Sequence, residues 1–408
     1  MPLCPLRPVK QANGLRIALI DPAFYTVAYD AELAGALGAL GHDVTMWADA
    51  RGVDEEHAEF AHLRLLFCRE LAAYRRPRQS VRFVGLHWRT LQLIRIVLHL
   101  RAMKRLVAEL RAGVPDVIHF QWLPLPTIDR LFMRSLRQMA PLVLTVHDSC
   151  PFNGDSAPRP QRWGMMSMFR EFDGVIVHTG AARDRLISYG VSPDRIVNIP
   201  HGLLHETGEV KALQGVPQRR IHDRVRFLLF GRLKPYKGAD LLLEAVRRLP
   251  ADVQNRIEVQ IVGKPYMDVV PLLNTTRELK ARVQLDLRFV ADDEMNNLLS
   301  LTDVMVFPYR EIDTSGVLMA ALRYGRPIIA SRVGAFAEML VNGRHGLLVP
   351  PGDANALAAA MTCLCCQAHT RAAMGAAVAE LSAAIPSWDE IARRTTDLYY
   401  SLIRPTRI

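Results

Sequence analysis

Short apolar runs alternate with amphipathic stretches along most of the chain. Leu15–Ile20 (LRIALI), set between Gly14 and Asp21-Pro22, has the pattern of a buried parallel strand. Ala31–Leu40 predicts a helix stopped by Gly41-His42-Asp43, and Val44–Trp47 a second strand, which together make a βαβ unit. Further strands are predicted at Asp116–Phe120, Pro141–Val146, Gly174–Val177 and Ile196–Ile199. Residues 203–224 are polar and aperiodic and read as a connection between two halves. The rhythm then resumes, with strands at Arg226–Phe230, Val259–Gly263, within Val283–Val290, and at Val304–Phe307, Pro327–Ser331 and Gly346–Val349. Helices are predicted at Ala239–Leu249, Val269–Glu278, Glu294–Leu301, Gly316–Tyr324 and Ala354–Leu381, and after Pro386 at Trp388–Leu402. The expected organisation is two α/β domains with parallel sheets, 15–203 and 225–385, a linker 204–224 and a terminal helix 386–404. The 408-residue length suits two or three domains at roughly 100–200 residues each.

The strands of the first half end in polar residues: His119, His147-Asp148, His178-Thr179 and His201-Gly202. Ligands of open parallel sheets bind beyond the carboxyl ends of the strands. Four histidines are thus expected near one crevice, one or two of them touching substrate. The loop Asp21–Asp30 adds Phe24, Tyr25 and Tyr29, which suggest an acceptor pocket with aromatic walls.

Charge sharpens the picture. The net charge is +10, and between Arg69 and Arg111 eleven Lys or Arg stand against Glu70 and Glu109 alone. The segment from Ser80 to Arg111 is both basic and apolar, which favours an anionic membrane surface. No recognisable nucleic-acid module or interleaved aromatics accompany the basic residues, so nucleic acid is not the expected partner. No run of 18 uncharged apolar residues predicts a spanning helix. The start MPLCPLRPVKQANG has no apolar run and reads as a loose leader. The expected setting is cytoplasmic, and Cys4, Cys68, Cys150, Cys363, Cys365 and Cys366 are expected as free thiols without a zinc site.

Three stretches carry candidate chemistry. In Phe230-Gly231-Arg232-Leu233-Lys234-Pro235-Tyr236-Lys237-Gly238 a strand ends on a glycine and cations precede a helix. Arg232 and Lys237 can clamp a diphosphate from two sides, aided by the positive end of that helix. In Pro308-Tyr309-Arg310-Glu311-Ile312-Asp313-Thr314-Ser315-Gly316-Val317-Leu318, Ser315 is a helix N-cap. The amides of Gly316, Val317 and Leu318 then suit a phosphate, and Glu311 and Asp313 suit sugar hydroxyls. The third stretch is Gly325-Arg326-Pro327, Gly334, Glu338 and Leu348-Val349-Pro350-Pro351-Gly352-Asp353.

In order and spacing these motifs resemble the retaining, GT-B fold glycosyltransferases of family 4, over nearly the whole chain. In the first half the resemblance rests on Gly41–Val44, Asp116–His119, Thr145–Asp148 and Ile199–Gly202. It implies two Rossmann-like domains facing across a cleft, with a C-terminal helix crossing back to the first. It further implies that Arg232 and Lys237 bind the donor diphosphate, that His147 approaches the donor sugar, and that Val290 borders the base of a UDP- or GDP-linked sugar. Tyr25 and Asp148 are expected on the acceptor side. The acceptor is expected to be a carbohydrate or lipid-linked hydroxyl in polysaccharide or glycolipid assembly. No cofactor is implied, and with no Asp-x-Asp pair the resemblance implies no metal. One departure stands out: at the positions of the family's Glu-x7-Glu pair the chain has Ile312 and Ala320. A non-catalytic transferase-like partner is therefore the alternative reading.

Overall fold

The computed structural model describes residues 14–49, 60–67, 84–150, 159–204 and 224–403. Its first domain contains β1 (Arg16–Asp21), α1 (Val27–Ala39), β2 (Asp43–Asp49), β3 (Leu63–Phe67), α2 (Val84–Ala112), β4 (Val117–Phe120), α3 (Pro126–Arg137), β5 (Leu142–Val146), α4 (Arg159–Met168), β6 (Gly174–Val177), α5 (Gly180–Ser188) and β7 (Ile196–Asn198). The second domain contains β8 (Val225–Phe230), α6 (Ala239–Arg247), α7 (Ala251–Asn255), β9 (Ile257–Val262), α8 (Val270–Glu278), β10 (Arg282–Asp286), α9 (Asp292–Ser300), β11 (Val304–Phe307), α10 (Gly316–Leu322), β12 (Ile328–Ser331), α11 (Gly334–Met339), β13 (Gly346–Val349), α12 (Ala354–Cys366) and α13 (Ala368–Ala384). A last helix, α14 (Trp388–Ile403), follows.

Each domain is built on one wholly parallel sheet. The strand orders are β3-β2-β1-β4-β5-β6-β7 and β10-β9-β8-β11-β12-β13. In both the order reverses at one point, between β1 and β4 and between β8 and β11, which opens a crevice at the carboxyl edge. Every residue of β4, β5 and β6 is buried. Such continuous apolar runs are what helices on both faces of a parallel sheet require.

Helix α14 crosses back to the first domain. Trp388, Ile391, Ala392, Leu398 and Tyr399 recur at helical spacing and join the core formed by Ile17, Leu19, Leu33 and Met46. Polar contacts fix its rotation: the Trp388 indole donates to the carbonyl of Leu203 at 2.6 Å, His42 Nε2 lies 3.0 Å from Thr396 Oγ1, and His119 Nδ1 lies 2.6 Å from the Tyr399 hydroxyl. Gly202 permits the approach, since a Cβ there would sit 2.7 Å from the Trp388 ring.

The two-sheet architecture agrees with the apolar pattern, with local differences. β3, α3, α4, α5, α7 and α11 were not among the expected elements. The helices expected within Ala354–Leu381 are α12 and α13, which meet at Gln367, whose backbone (φ −106, ψ 81) is not helical. The strand expected within Val283–Val290 ends at Asp286, leaving Val290 in the following loop. Helix α2 takes up the basic segment from Val84 onward. Residues 80–83, most of the expected linker, the leader, Cys4 and Cys68 lie outside the described residues. Among the described residues no helix is long and apolar enough to cross a membrane.

The His119–Tyr399 contact is fully buried, so Tyr399→Phe leaves a buried ring nitrogen without its partner. We expect a loss of about 1–3 kcal/mol, read as a lowered urea midpoint for the first domain.

Candidate active site

The second domain contributes a cationic half-site at its switch point. Gly231 follows β8 with φ +113, and a Cβ on it would lie 2.7 Å from Lys237 Nζ and 2.9 Å from Val317 Cγ2. Gly231, Lys237 and the first turn of α10 therefore converge on one spot. Lys237 is only 6% exposed, and its Nζ stands 5.1 Å from the centre of the Tyr309 ring. No carboxylate pairs with Lys237 or Arg232 among the described residues. Burial, together with the neighbouring Arg232 and Lys234, lowers the Lys237 pKa to about 8. A buried ammonium that lacks a counter-ion is a receptor for an anion.

The loop opposite is held rigidly. Arg310 forks onto Asp240 at 2.7 and 3.0 Å and donates to the carbonyl of Pro235 at 2.8 Å, which ties the β11–α10 loop to the β8–α6 turn. Ser315 caps α10 as anticipated, but its side chain accepts the N–H of Leu318 at 3.3 Å. The Leu318 amide is thus satisfied within the protein, which leaves the amides of Gly316 and Val317 as the ones the cap does not take. Val290 is 8% exposed and packs in the second-domain core with Phe230, Val262 and Leu299, while Phe289 beside it is 72% exposed. Ile312 and Ala320 are apolar members of the same core region.

The first domain supplies the facing wall. His147, at the end of β5, places Nε2 3.0 Å from Gln121 Oε1 and stacks on Trp122 with ring centres 5.4 Å apart and planes at 18°. Burial, with His178, His201 and His119 nearby, holds it well below the usual histidine range. The imidazole is neutral at physiological pH, with Nε2–H donated to Gln121 and Nδ1 left as an acceptor. The other three histidines do not reach the crevice. His119 bonds to Tyr399 and to Thr145, His178 Nδ1 to the carbonyl of Ile199 at 2.9 Å, and His201 Nδ1 to that of Gly202 at 2.6 Å. Their rings, apart from that of His119, surround Tyr29, which is 2% exposed. Phe24 is also core, so the expected aromatic pocket reduces at the surface to Tyr25, which is 55% exposed and set edge-on to Trp122 at 5.5 Å. The Arg232 guanidinium lies 5.9 Å over the Tyr25 ring, so this contact spans the two domains.

Acidic side chains crowd the same gap. Burial raises the Asp148 pKa to about 7, and Asp313 adds to the shift. Glu311 is half-buried beside Cys150. Asp313 does not face a sugar pocket as expected: it accepts Arg185 Nη1 at 2.7 Å and also the N–H of Ser149, both from the first domain. Among the described residues no group of His, Cys, Asp or Glu has the arrangement of a metal site. The residues missed by the sequence reading are Gln121, Trp122 and Arg185. Thr179 before a helical apolar pattern at Ala182 and Leu186 was the available signal for α5 and hence for Arg185.

Comparison with known proteins now bears on this geometry. The model "Glycosyltransferase Family 4" matches residues 28–206, and "Glycosyl transferases group 1" matches residues 224–367. The chain belongs to glycosyltransferase family 4. Among relatives, D-inositol 3-phosphate glycosyltransferase of Saccharomonospora viridis is 27% identical over 287 residues, covering 65% of this chain and 64% of that one. The match thus spans less than two thirds of that relative's length. GDP-mannose:glycolipid 4-beta-D-mannosyltransferase of Xanthomonas campestris pv. campestris is 35% identical over 107 residues, 26% of this chain and 30% of that one. Among solved structures, Anabaena Alr3699/HepE in complex with UDP and glucose aligns with TM-score 0.70 and 17% identity over 95% of this chain and 100% of that one. Sucrose-phosphate synthase from Thermosynechococcus elongatus aligns with TM-score 0.69 and 22% identity over 95% and 99%. These likenesses establish the two-domain family 4 fold.

The unpaired ammonium gives a test that needs no knowledge of the substrate. The folded pKa of Lys237 lies below its ordinary value of 10.5, so below about pH 8 the folded protein buries a charge that the unfolded chain leaves in water. Lys237→Met is expected to stabilise the second domain at pH 7 by up to about 3 kcal/mol, with the gain shrinking as pH rises from 8 toward 10.5. Urea denaturation of both proteins across pH 7–10 checks this.

Proposed function

We propose that the protein transfers a sugar from a nucleoside diphosphate to an acceptor hydroxyl with retention of configuration. The observation that carries this reading is the buried, uncompensated Lys237 beside Arg232 at the second domain's switch point. As the bond from sugar to diphosphate breaks, negative charge grows on the leaving phosphate oxygens. Arg232, Lys237 and the amides of Gly316 and Val317 stabilise that charge where it forms, with little reorganisation. These groups suffice for neutralisation, so the proposed step needs no metal. In the retaining reaction the acceptor oxygen attacks from the face that the diphosphate leaves, and the departing phosphate takes the acceptor proton.

The remaining residues divide by wall. Gly231 leaves room for the phosphates, and Val290 with its loop borders the base. Glu311 and the Nδ1 of His147 face the donor sugar. Tyr25 and Asp148 lie on the acceptor side. The UDP and glucose bound by HepE and the GDP-mannose named for the Xanthomonas relative support a UDP- or GDP-linked donor and a carbohydrate or lipid-linked acceptor.

We further propose that the enzyme works at the cytoplasmic face of a membrane, in polysaccharide or glycolipid assembly. The support is a surface on α2 and α3. Leu93, Ile94, Val97 and Leu131 are exposed there at 62%, 42%, 46% and 70%, with Arg95, Arg130 and Arg134 among them. Exposed aliphatic groups ringed by arginines suit anionic headgroups.

A calorimetric panel of UDP- and GDP-sugars tests the donor reading. One donor is expected to bind, and Arg232→Ala to weaken it by roughly 2–4 kcal/mol. Absence of any binding favours instead a non-catalytic partner, a reading that Ile312 and Ala320 would then explain. Flotation with anionic liposomes tests the second: the wild type is expected to float, and a Leu93→Ser, Val97→Ser double variant to remain at the bottom.

A further inference from the structure

Contacts from the second domain converge on one helix of the first. Glu338 of α11 accepts the N–H groups of Gly180 at 2.9 Å and Ala181 at 2.8 Å, two donors at the start of α5 that have no partner within the helix. One turn further along, Arg185 Nη1 reaches Asp313 at 2.7 Å and Ser149 Oγ at 2.9 Å. Asp313 also accepts the backbone N–H of Ser149, and the next residue, Thr314, donates its hydroxyl to the carbonyl of His147 at 3.1 Å. Helix α5 is thus gripped at its N-terminus by helix α11 and at its side by the β11–α10 loop of the opposite domain.

We infer that Arg185 is a positioning residue: with Glu338 seated on α5, its ion pair to Asp313 holds the two domains closed and sets the donor-side loop 309–315 against His147 and Asp148. Burial is what makes this pair matter. Asp313 is 3% exposed, and its only cationic partner among the described residues comes from the other domain. Without Arg185 its carboxylate is left buried with backbone N–H support alone. Opening the cleft is the simplest relief, because it returns the carboxylate to water. Glu338 lies exposed at the rim, so its contact is the weaker of the two.

The loop itself conveys the consequence to the site. Arg310 anchors one end to Asp240 and Pro235 within its own domain, and Ser315 caps α10 at the other. Asp313 and Thr314 between them attach it to the first domain. The residues on either side, Glu311 and Ser315, belong to the stretch assigned to the donor under the transferase reading. Ordering by donor and ordering by closure therefore act on one segment, which makes them reciprocally coupled. This donor coupling rests on the transferase reading, whereas the latch does not.

The test uses the full chain as wild type, Arg185→Ala, Arg185→Lys and Glu338→Ala. Small-angle X-ray scattering reads closure, and calorimetry reads the affinity for UDP and GDP. Arg185→Ala is expected to increase the radius of gyration and to weaken nucleotide binding about 5- to 100-fold. Arg185→Lys, which keeps a cation for Asp313, is expected to restore the closed scattering curve and most of the affinity. Glu338→Ala, a rim change that leaves the core intact, is expected to open the protein partly, and it decides the matter if Arg185→Ala does not fold. Scattering unchanged by both alanine variants overturns the latch. Opening by Arg185→Ala in a protein that binds neither nucleotide keeps the latch and overturns the donor reading.

Discussion

Burying an ammonium without a counter-ion is costly, and the second domain accepts that cost at Lys237. Its surroundings are arranged to make it possible. The short turn Pro235–Lys237 ends on Gly238 in the left-handed region (φ +69), where a Cβ would lie 2.0 Å from the carbonyl oxygen of Pro308. That close approach brings the turn after β8 against the loop after β11. It lays Lys237 over the face of Tyr309, whose ring offers partial electrostatic compensation. The Arg310–Asp240 fork then locks the two loops together. What remains uncompensated is available to an incoming anion, and two switch-point loops are held in place around it.

The first domain answers with a wall of opposite character. All four of its strand-end histidines are held neutral by burial, and they serve structure. His147, His178 and His201 enclose Tyr29, which ties the strand ends to Trp388 and so to the returning C-terminal helix. His147, at the end of β5, alone of the four also stacks on Trp122. Asp148, with its pKa near 7 because of burial beside Asp313, is only partly ionised at neutral pH. A cationic wall thus faces a largely aromatic one, which suits the proposed reaction, in which charge develops on the leaving group rather than the acceptor.

Much of this was legible in the sequence because it depends on local chemistry. Parallel strands buried on both faces announce themselves as continuous apolar runs, and Gly231-Arg232 with Lys237-Gly238 marks a strand-to-helix turn whatever its neighbours. The terminal helix carried its stripe openly in Trp388, Ile391, Leu398 and Tyr399. What could not be read depends on contacts distant in sequence. Nothing near His178 or His201 signals that Tyr29 fills the space between them. Asp313 looked like a sugar ligand because its partner, Arg185, lies 128 positions away on a helix that was not anticipated. The Leu318 amide looked free because the Ser315 cap was credited only with starting the helix, not with consuming one of its donors.

The departure from the family's acidic pair and the latch have one physical origin. Along the loop after β11, Ile312 turns inward to the apolar core of its own domain, and the next residue, Asp313, turns outward to Arg185. Position 312 thus belongs to its own domain, and the acid at 313 to the other. Ala320 follows the same logic on α10, where it is 9% exposed and packs among Leu318, Met319 and Leu322. Two apolar side chains there deepen the core beneath the donor loop, while the displaced carboxylate fastens that loop across the cleft. In this chain the loop's carboxylate at 313 is directed to the other domain, and on the proposed transfer the phosphate would be met by Arg232 and Lys237 instead.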